Sequence, residues 1–156
     1  MTANTIGSLY FLERRLRRRC SPARSFWDLR SHDIPESPGA YILIGRRGEG
    51  FRYPKGRSPV FYVGQSADIR YRLREHLSNA TWAQEARERK DKDRFLYEPR
   101  YHYAAAFGET YVWIPTWQGL TPKALEDRIL AEFVRDHLAF PVANGQGSWK
   151  SLIAEM

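Results

Sequence analysis

The chain has 156 residues, and its 25 lysines and arginines outnumber its 18 aspartates and glutamates, which gives a formal net charge of +7. A chain of this length buries a substantial apolar core as one domain, and its single cysteine excludes an internal disulfide and a cysteine-rich zinc site. No apolar run approaches the roughly 18 residues of a membrane span, and no signal-peptide core is evident, so we expect a cytoplasmic protein without a membrane partner.

The basic excess, most of it arginine, favours a polyanionic partner. Nucleic acid is the first expectation, although ribosomal and membrane-surface proteins share this charge balance. Among nucleic acids we favour DNA, and a protein partner is left open.

The first predicted element is a short basic helix over residues 7–20. Leu9, Leu12 and Leu16 share one side of it, and arginines crowd its end. These arginines are either a phosphate-tracking arm or the solvated face of a helix that packs through its leucines. We expect residues 1–36 to form this helix and a linker packed on the core, and residues 37–156 to form the main domain.

Two strands are predicted next, over residues 39–44 and 60–65. Each carries one tyrosine, Tyr41 in the first strand and Tyr62 in the second. We place both tyrosines on the same face of a sheet, and strict alternation then puts Phe61 on the opposite, apolar face.

A basic, glycine-rich stretch over residues 45–58 joins these strands and predicts a long hairpin loop. A helix over residues 68–77 follows the second strand. Its buried stripe is predicted to consist of Ile69, Leu73 and Leu77.

In the second half of the chain, the sequence predicts secondary structure less clearly before the last helix. Residues 83–100 are highly charged and are either a surface helix or a mobile loop, and residues 101–113 alternate as strands do. The Thr121-Pro122 pair predicts the start of a helix that runs to about Leu138. Residues 141–147 are predicted to form the loop that leaves it.

Glu126 lies in the centre of the apolar stripe of that last helix, whereas Asp127 and Glu132 fall toward the predicted solvent side. A carboxylate that faces a core needs a cation or a hydrogen-bond donor, because burying it alone is very costly. A hard divalent metal would satisfy it. The alternative is a buried ion pair with an arginine such as Arg72.

Arg72 and His76 are four residues apart and therefore lie on the same side of their helix. Taken singly, they are readily explained as a surface cation and a structural histidine, and Tyr41 and Tyr62 as strand packing. Together with Glu126 they make a set of proton-transfer and phosphate-binding groups, which favours a chemical role.

Two tripeptides, Gly39-Ala40-Tyr41 and Tyr62-Val63-Gly64, resemble the motifs of the GIY-YIG nuclease family. The resemblance covers about residues 37–146. As in the family, an arginine follows the second tyrosine by ten residues and a histidine follows that arginine by four. Glu126 and Asn144 look like the family's metal-binding glutamate and the asparagine after its helix.

The resemblance implies an α+β fold, in which a small central antiparallel sheet of about three strands is flanked by helices. It also implies an endonuclease that hydrolyses DNA to 5′-phosphate and 3′-hydroxyl ends with one Mg²⁺ or Mn²⁺ ion. In that mechanism Glu126 would hold the metal against the scissile phosphate, and Arg72 would neutralise charge on the phosphate oxygens.

The remaining motif residues receive roles from the same resemblance. Tyr41 would be the general base toward the attacking water, with nearby cations favouring its ionised form. Tyr62 and His76 would orient that water or relay its proton. Asn144 would fix the metal-bearing region by hydrogen bonding.

The loop and the start of the following helix supply the predicted nucleic-acid contacts, which are Arg46, Arg47, Arg52, Lys55, Arg57, Gln65, Arg70 and Arg74. Two alternatives to the DNA nuclease stay open. One is a catalytically inert nucleic-acid-binding module of a larger complex. The other is a nuclease for single-stranded DNA or RNA, since the chain is 14% aromatic and exposed rings stack on unpaired bases.

Overall fold

The computed structural model describes residues 7–46, 50–89 and 99–144. The strands in these ranges are β1 (Arg24–Ser25), β2 (Gly39–Gly45), β3 (Phe51–Arg52), β4 (Arg57–Ser58), β5 (Val60–Ser66) and β6 (Gly108–Pro115). The helices are α1 (Arg14–Arg19), α2 (Ile69–Glu88), α3 (Pro99–Phe107) and α4 (Pro122–His137), with a short 3₁₀ helix at Leu29–Ser31.

A central antiparallel sheet organises the molecule. Its strands lie in the order β1-β6-β2-β5, and each neighbouring pair is antiparallel. The predicted fold class, a small antiparallel sheet flanked by helices, is confirmed, and the two-residue strand β1 makes the sheet one strand wider than expected. Within the predicted 45–58 loop, β3 and β4 pair as a separate small hairpin.

Both predicted strands are present, but β5 contains an irregularity. The register with β2 shifts between the partners of Tyr62 and Val60, so Phe61 is the additional residue. Phe61 therefore lies with Tyr62 and Tyr41 on one face, and Val60 lies on the other. The shared face of the two tyrosines is confirmed, while the predicted position of Phe61 on the opposite face is wrong.

Each face of the sheet is covered by a different layer. On one face, α4 packs together with the leucines of the N-terminal segment against the aliphatic side chains of β2, β5 and β6. On the other face, α2 and α3 pack over the tyrosines together with Phe26, Leu29 and Ile34. Both faces are thus apolar cores, and the second one also buries the tyrosine hydroxyls.

The N-terminal helix is shorter than predicted. A turn separates residues 7–8 from α1, with Leu12 N donating to Leu9 O. Glu13 is extended at this point, because its N–H donates to the Glu132 carboxylate of α4 at 3.2 Å instead of continuing a helix. Leu9, Leu12 and Leu16 are nevertheless buried together.

The expectation of strands over residues 101–113 is wrong in its first half. Residues 99–107 form α3, and the strand β6 begins only at Gly108. Proline at the first helical position and three consecutive alanines favour a helix more strongly than the alternation of tyrosines favours a strand. Gly108 allows the direct change from helix to strand, because a Cβ there would overlap the Ala104 carbonyl oxygen.

Of the remaining helices, α2 begins as predicted but runs eleven residues past its predicted end at Leu77, and α4 agrees with expectation. The α2 helix starts after Asp68, whose carboxylate accepts from Tyr71 N, and continues to Glu88, so the first part of the charged segment is helical. The α4 helix starts as predicted, with Thr121 Oγ1 accepting from Ala124 N and Pro122 in the first turn. None of the helices in the described ranges has the length and apolarity to cross a membrane.

The burial of Leu16 provides a test of how firmly α1 is packed. We expect Leu16→Ala to lower the free energy of unfolding by about 2 to 5 kcal/mol, because it leaves a cavity beneath the helix. Urea unfolding measures this change. Arg15→Ala, on the exposed side of α1, is the matched control and should stay within about 0.5 kcal/mol of wild type. Equal effects of the two substitutions would contradict the packing.

Candidate active site

A buried tyrosine and a buried histidine form the centre of the site. Tyr41 on β2 and His76 on α2 are each 1% exposed, and the Tyr41 hydroxyl is 2.6 Å from His76 Nε2. The Tyr62 ring on β5 lies 5.3 Å from the His76 ring, measured between centroids. The structure therefore brings together three of the residues singled out from the sequence.

The position of Tyr41 depends on the glycine opposite it in the sheet. Gly64 on β5 is the register partner of Tyr41, and the tyrosine ring leans across it. A Cβ on Gly64 would overlap the hydroxyl and the ring of Tyr41. The glycine of the second tripeptide thus makes room for the tyrosine of the first.

Arg72 enters the same site from one helical turn before His76. Its guanidinium forms an ion pair with Glu75 and lies beside the Tyr41 hydroxyl, where its charge favours the phenolate. The spacing of Arg72 and His76 along α2 therefore places both side chains toward Tyr41, as four-residue spacing predicts.

Two residues of α3 belong to the site and were missed in the sequence. Arg100 Nη1 donates to the Tyr62 hydroxyl at 3.3 Å, and its guanidinium lies 5.1 Å from the centre of the Tyr101 ring. The Tyr101 ring in turn lies 5.6 Å from that of His76. The prediction of strands hid these residues, although the Glu98-Pro99 pair is a helix-start signal that could have revealed them.

Burial keeps both central groups uncharged. Desolvation, followed by the charges of Arg72 and Arg100, lowers the pKa of His76 to about 3. Desolvation and the neighbouring Tyr62 raise the pKa of Tyr41 well above its usual value, against the opposing effect of Arg72. At neutral pH the protein by itself therefore holds Tyr41 as a phenol, so a general-base role requires additional positive charge in the site.

The Glu126 side chain is partly buried, with 15% of it exposed, but Glu126 is not among the fully buried residues of α4, which include Asp127 and Glu132. The partner of Glu126 is Lys123, whose Nζ donates to Oε1 at 3.1 Å, and not the Arg72 considered from the sequence. Burial raises the pKa of Glu126, and Lys123 opposes this shift. Glu126 is also near enough to Tyr41 for its charge to raise the tyrosine pKa.

Two carboxylates predicted to face solvent are buried instead. Asp127 accepts a hydrogen bond from Lys123 at 2.8 Å, and Glu132 accepts one from the Glu13 backbone. Their exposure was predicted from α4 alone. The N-terminal segment covers one side of that helix, and the Lys123 side chain folds over the other.

Glu126 offers a single carboxylate, so a hard divalent cation there would need water and phosphate to complete its coordination shell. Mg²⁺ commonly uses one or two protein carboxylates in this way. Within the described ranges there is no group of three or more metal-ligating side chains, so a cage built by the protein alone is absent from them. The ammonium of Lys123, about half exposed, already places a positive charge at this carboxylate.

Asn144 ties the segment after α4 to the edge of the sheet. Its Oδ1 accepts from Val63 N at 2.9 Å, and its Nδ2 donates to Val63 O at 2.8 Å. Ala143 N donates to Phe61 O on the same strand. These bonds cover the outer edge of β5 next to Tyr62, and the role that the resemblance implies for Asn144, fixing the metal-bearing region, stays a prediction.

The predicted nucleic-acid contacts are dispersed. Residues 52–57 of the loop are bound to the far end of α4, where Lys55 N donates to His137 O, about 16 Å along the helix from Glu126. Arg70 is held by Ile34 O and Glu36, so it stabilises the linker. The exposed positions among those predicted are Arg46, Arg52, Lys55 and Arg57, the half-buried ones are Gln65, Arg70 and Arg74, and Arg47 lies outside the described residues.

Comparisons of the chain with protein-family models, with curated proteins and with solved structures gave no match. The resemblance to the GIY-YIG family therefore stays a prediction from the residues themselves. What the described residues add is the arrangement of Tyr41, His76, Arg72 and Glu126.

The contact between Gly64 and Tyr41 can be tested by adding one methyl group. We expect Gly64→Ala to lower the free energy of unfolding by about 1 to 3 kcal/mol, because the buried tyrosine must move. Urea unfolding and near-ultraviolet circular dichroism report the two effects. Gly7→Ala is the control, since its added Cβ meets nothing within 4 Å. An unchanged aromatic signal in Gly64→Ala would contradict the proposed close packing.

The lowered pKa of His76 predicts a specific pH dependence of stability. Unfolded histidine binds a proton near pH 6.5, whereas folded His76 resists protonation down to about pH 3. As the pH falls from 6.5 toward 3, the unfolded state gains more protons, so stability falls by up to about 1.4 kcal/mol per pH unit. The free energy of unfolding, measured in urea at a series of pH values, should therefore fall more steeply for wild type than for His76→Gln in this window. Above pH 7 the two curves should run parallel. Identical slopes would show that His76 is not buried neutral.

Proposed function

We propose that the protein is a metal-dependent endonuclease that hydrolyses phosphodiester bonds, with DNA as its expected substrate. The observation that carries this proposal is the buried Tyr41–His76 pair, flanked by Arg72 and Arg100 and within electrostatic reach of Glu126. Two guanidinium groups beside neutral polar groups suit a phosphate, whose negative charge would add to that of Glu75, the ion-pair partner of Arg72.

Each residue has a role in this proposal. Arg72 stabilises negative charge that develops on the phosphate oxygens, and Tyr41 accepts the proton of the attacking water. His76 holds the Tyr41 hydroxyl in place through their hydrogen bond, and Arg100 holds Tyr62.

Glu126 is the residue that would hold Mg²⁺ or Mn²⁺. Such an ion would neutralise phosphate charge and, like Arg72, favour the ionised form of Tyr41. Lys123 would move away from Glu126 when the ion binds, and its exposed side chain leaves it free to do so.

An inert nucleic-acid-binding module is the second candidate. The observation that favours it is the pair of hydrogen bonds from Lys123 to Glu126 and Asp127, because this ammonium compensates the carboxylates without a metal. The raised pKa of Tyr41 is also compatible with a purely structural tyrosine. Cleavage assays separate the two candidates.

The decisive experiment compares cleavage of labelled duplex DNA, single-stranded DNA and RNA by wild type and Glu126→Gln, with Mg²⁺, Mn²⁺ or EDTA. We expect wild type to cut in a metal-dependent way, and the substitution to lower the rate about 100-fold or more, because it removes the charge that binds the ion. The ends produced should be 5′-phosphate and 3′-hydroxyl.

Glu85→Gln, on the exposed side of α2, is the matched control and should cleave as wild type does. Binding without cleavage under every metal condition would favour the inert module. Cleavage that persists in Glu126→Gln would place the metal elsewhere. A preference for single strands or RNA would replace duplex DNA as the substrate.

A further inference from the structure

A second basic surface lies on the sheet face opposite Tyr41. We call it the basic helix surface, and it comprises the five arginines of α1 and two aromatic neighbours: Arg14, Arg15, Arg17, Arg18, Arg19, Tyr10 and Trp117. Of the six residues in α1, Leu16 alone is buried, and every other one is an arginine. The surface therefore carries a dense positive charge on a helix that is anchored by its leucine.

Aromatic rings hold two of these arginines in place. The Arg17 guanidinium lies 4.7 Å from the centre of the Tyr10 ring, and the Arg19 guanidinium lies 4.1 Å from that of Trp117. Cation–π contacts of this kind orient a guanidinium, and Nε of Arg17 is buried without a hydrogen-bond partner in the described part of the chain, so the terminal nitrogens are the ones that a ligand would meet. Tyr10 is 63% exposed, so it remains accessible beside the arginines.

This arrangement is electrostatically unfavourable for the isolated protein. Arg14 and Arg18, like Arg15 and Arg19, are four residues apart, where like charges destabilise a helix. The first turn has no acidic residue, and arginines there oppose the helix dipole. The acidic N-cap residue, Glu13, turns toward Arg128 of α4 at 2.7 Å. The charge of α1 is thus not compensated within the helix, and a bound polyanion would relieve the repulsion.

The contacts of α1 define where such a polyanion would lie. At its start, Glu13 is bonded to Arg128 and Glu132 in the middle of α4, and at its end Arg19 packs on Trp117, just before α4 begins. The helix therefore runs alongside α4 in the opposite direction. Its leucines belong to the α4 core, whereas Tyr41 belongs to the other core.

We propose that the basic helix surface binds the phosphate backbone of a nucleic acid, separately from the candidate active site. Arginine's planar fork suits phosphate, and the neighbouring rings keep the forks in a fixed array. An anionic membrane is the less suitable partner, because interfacial helices insert an apolar face, and Leu9, Leu12 and Leu16 are already buried in the core. This inference does not depend on whether the protein cleaves its partner.

The test measures equilibrium binding to labelled nucleic acid in EDTA, so that cleavage does not enter. The variant Arg14→Ala/Arg15→Ala/Arg18→Ala removes the three exposed arginines that have no ring partner among the described contacts. We expect at least a roughly tenfold loss of affinity at low salt, and a slope of log affinity against log salt that is shallower by about 2 to 3.

The matched control, Arg30→Ala/Arg87→Ala/Arg89→Ala, removes three exposed arginines from the opposite layer and should bind nearly as wild type does. Arg18→Glu alone repeats the test if the triple variant does not fold. Duplex DNA, single-stranded DNA and RNA are tested as separate ligands. The α1 variant should lose affinity for whichever of the three wild type binds most tightly.

Equal losses in the two triple variants would overturn the proposal, because net charge alone would then explain binding. Wild-type affinity in the α1 variant would overturn it as well. If wild type binds vesicles of phosphatidylserine and phosphatidylcholine, and the α1 variant loses this binding but still binds nucleic acid, the partner of the surface is a membrane instead. Retained cleavage with weakened binding would support the surface as distinct from the active site.

Discussion

The hydrogen bond between Tyr41 and His76 depends on two separate features of the fold. The register of β2 and β5 places Tyr41 over Gly64, and the same regular register keeps Tyr62, the partner of Leu43, on the tyrosine face. The N-cap at Asp68 fixes where α2 begins, and thereby which of its side chains point at the sheet. A slip of one residue in the β2 register would turn Tyr41 to the opposite core, because side chains alternate along a strand. The site is therefore a property of the whole sheet and not of a loop.

The charge balance of this site follows from its burial. Tyr41 and His76 lie where ionised forms are costly, so both are neutral, and the nearby charges are the guanidiniums of Arg72 and Arg100 and the carboxylates of Glu75 and Glu126. An arginine stays charged under almost any condition, so the two cations persist whatever the pH. Such a site favours a ligand that carries negative charge. Binding of this ligand would favour the phenolate form of Tyr41 only if a cation binds with it.

Local sequence patterns predicted the parts of the fold that local interactions determine. The strands around Tyr41 and Tyr62 and the capped start of α4 belong to this group, since alternation and capping act within a few residues. The set of Tyr41, Tyr62, Arg72 and His76 followed from such spacing as well. For these four side chains to meet, α2 had only to pack on the sheet face that carries the two tyrosines.

Apart from α3, whose proline and alanines were a local signal, the errors arose where distant contacts decide the outcome. Glu13 leaves the helix to bond with Glu132, 119 residues away, and that same contact buries Glu132. The bulge at Phe61 depends on pairing with β2, and no pattern within β5 reveals it. Arg100 enters the site only because α3 packs on α2, which no spacing between the two segments specifies.

The α4 helix connects the two charged regions of the molecule. Its Glu126 reaches toward the tyrosine side, while Arg128 and Glu132 hold the start of α1 on another side of the same helix. Since one element fixes both, the distance between the candidate active site and the basic helix surface is set by packing and not by a linker. Long-range positive potential would attract a nucleic acid to either surface, and in the proposed function the site with Tyr41, His76 and Glu126 is the one that acts on the phosphodiester. The two proposals thus assign the attraction of a polyanion to the basic helix surface and the chemistry to the candidate active site.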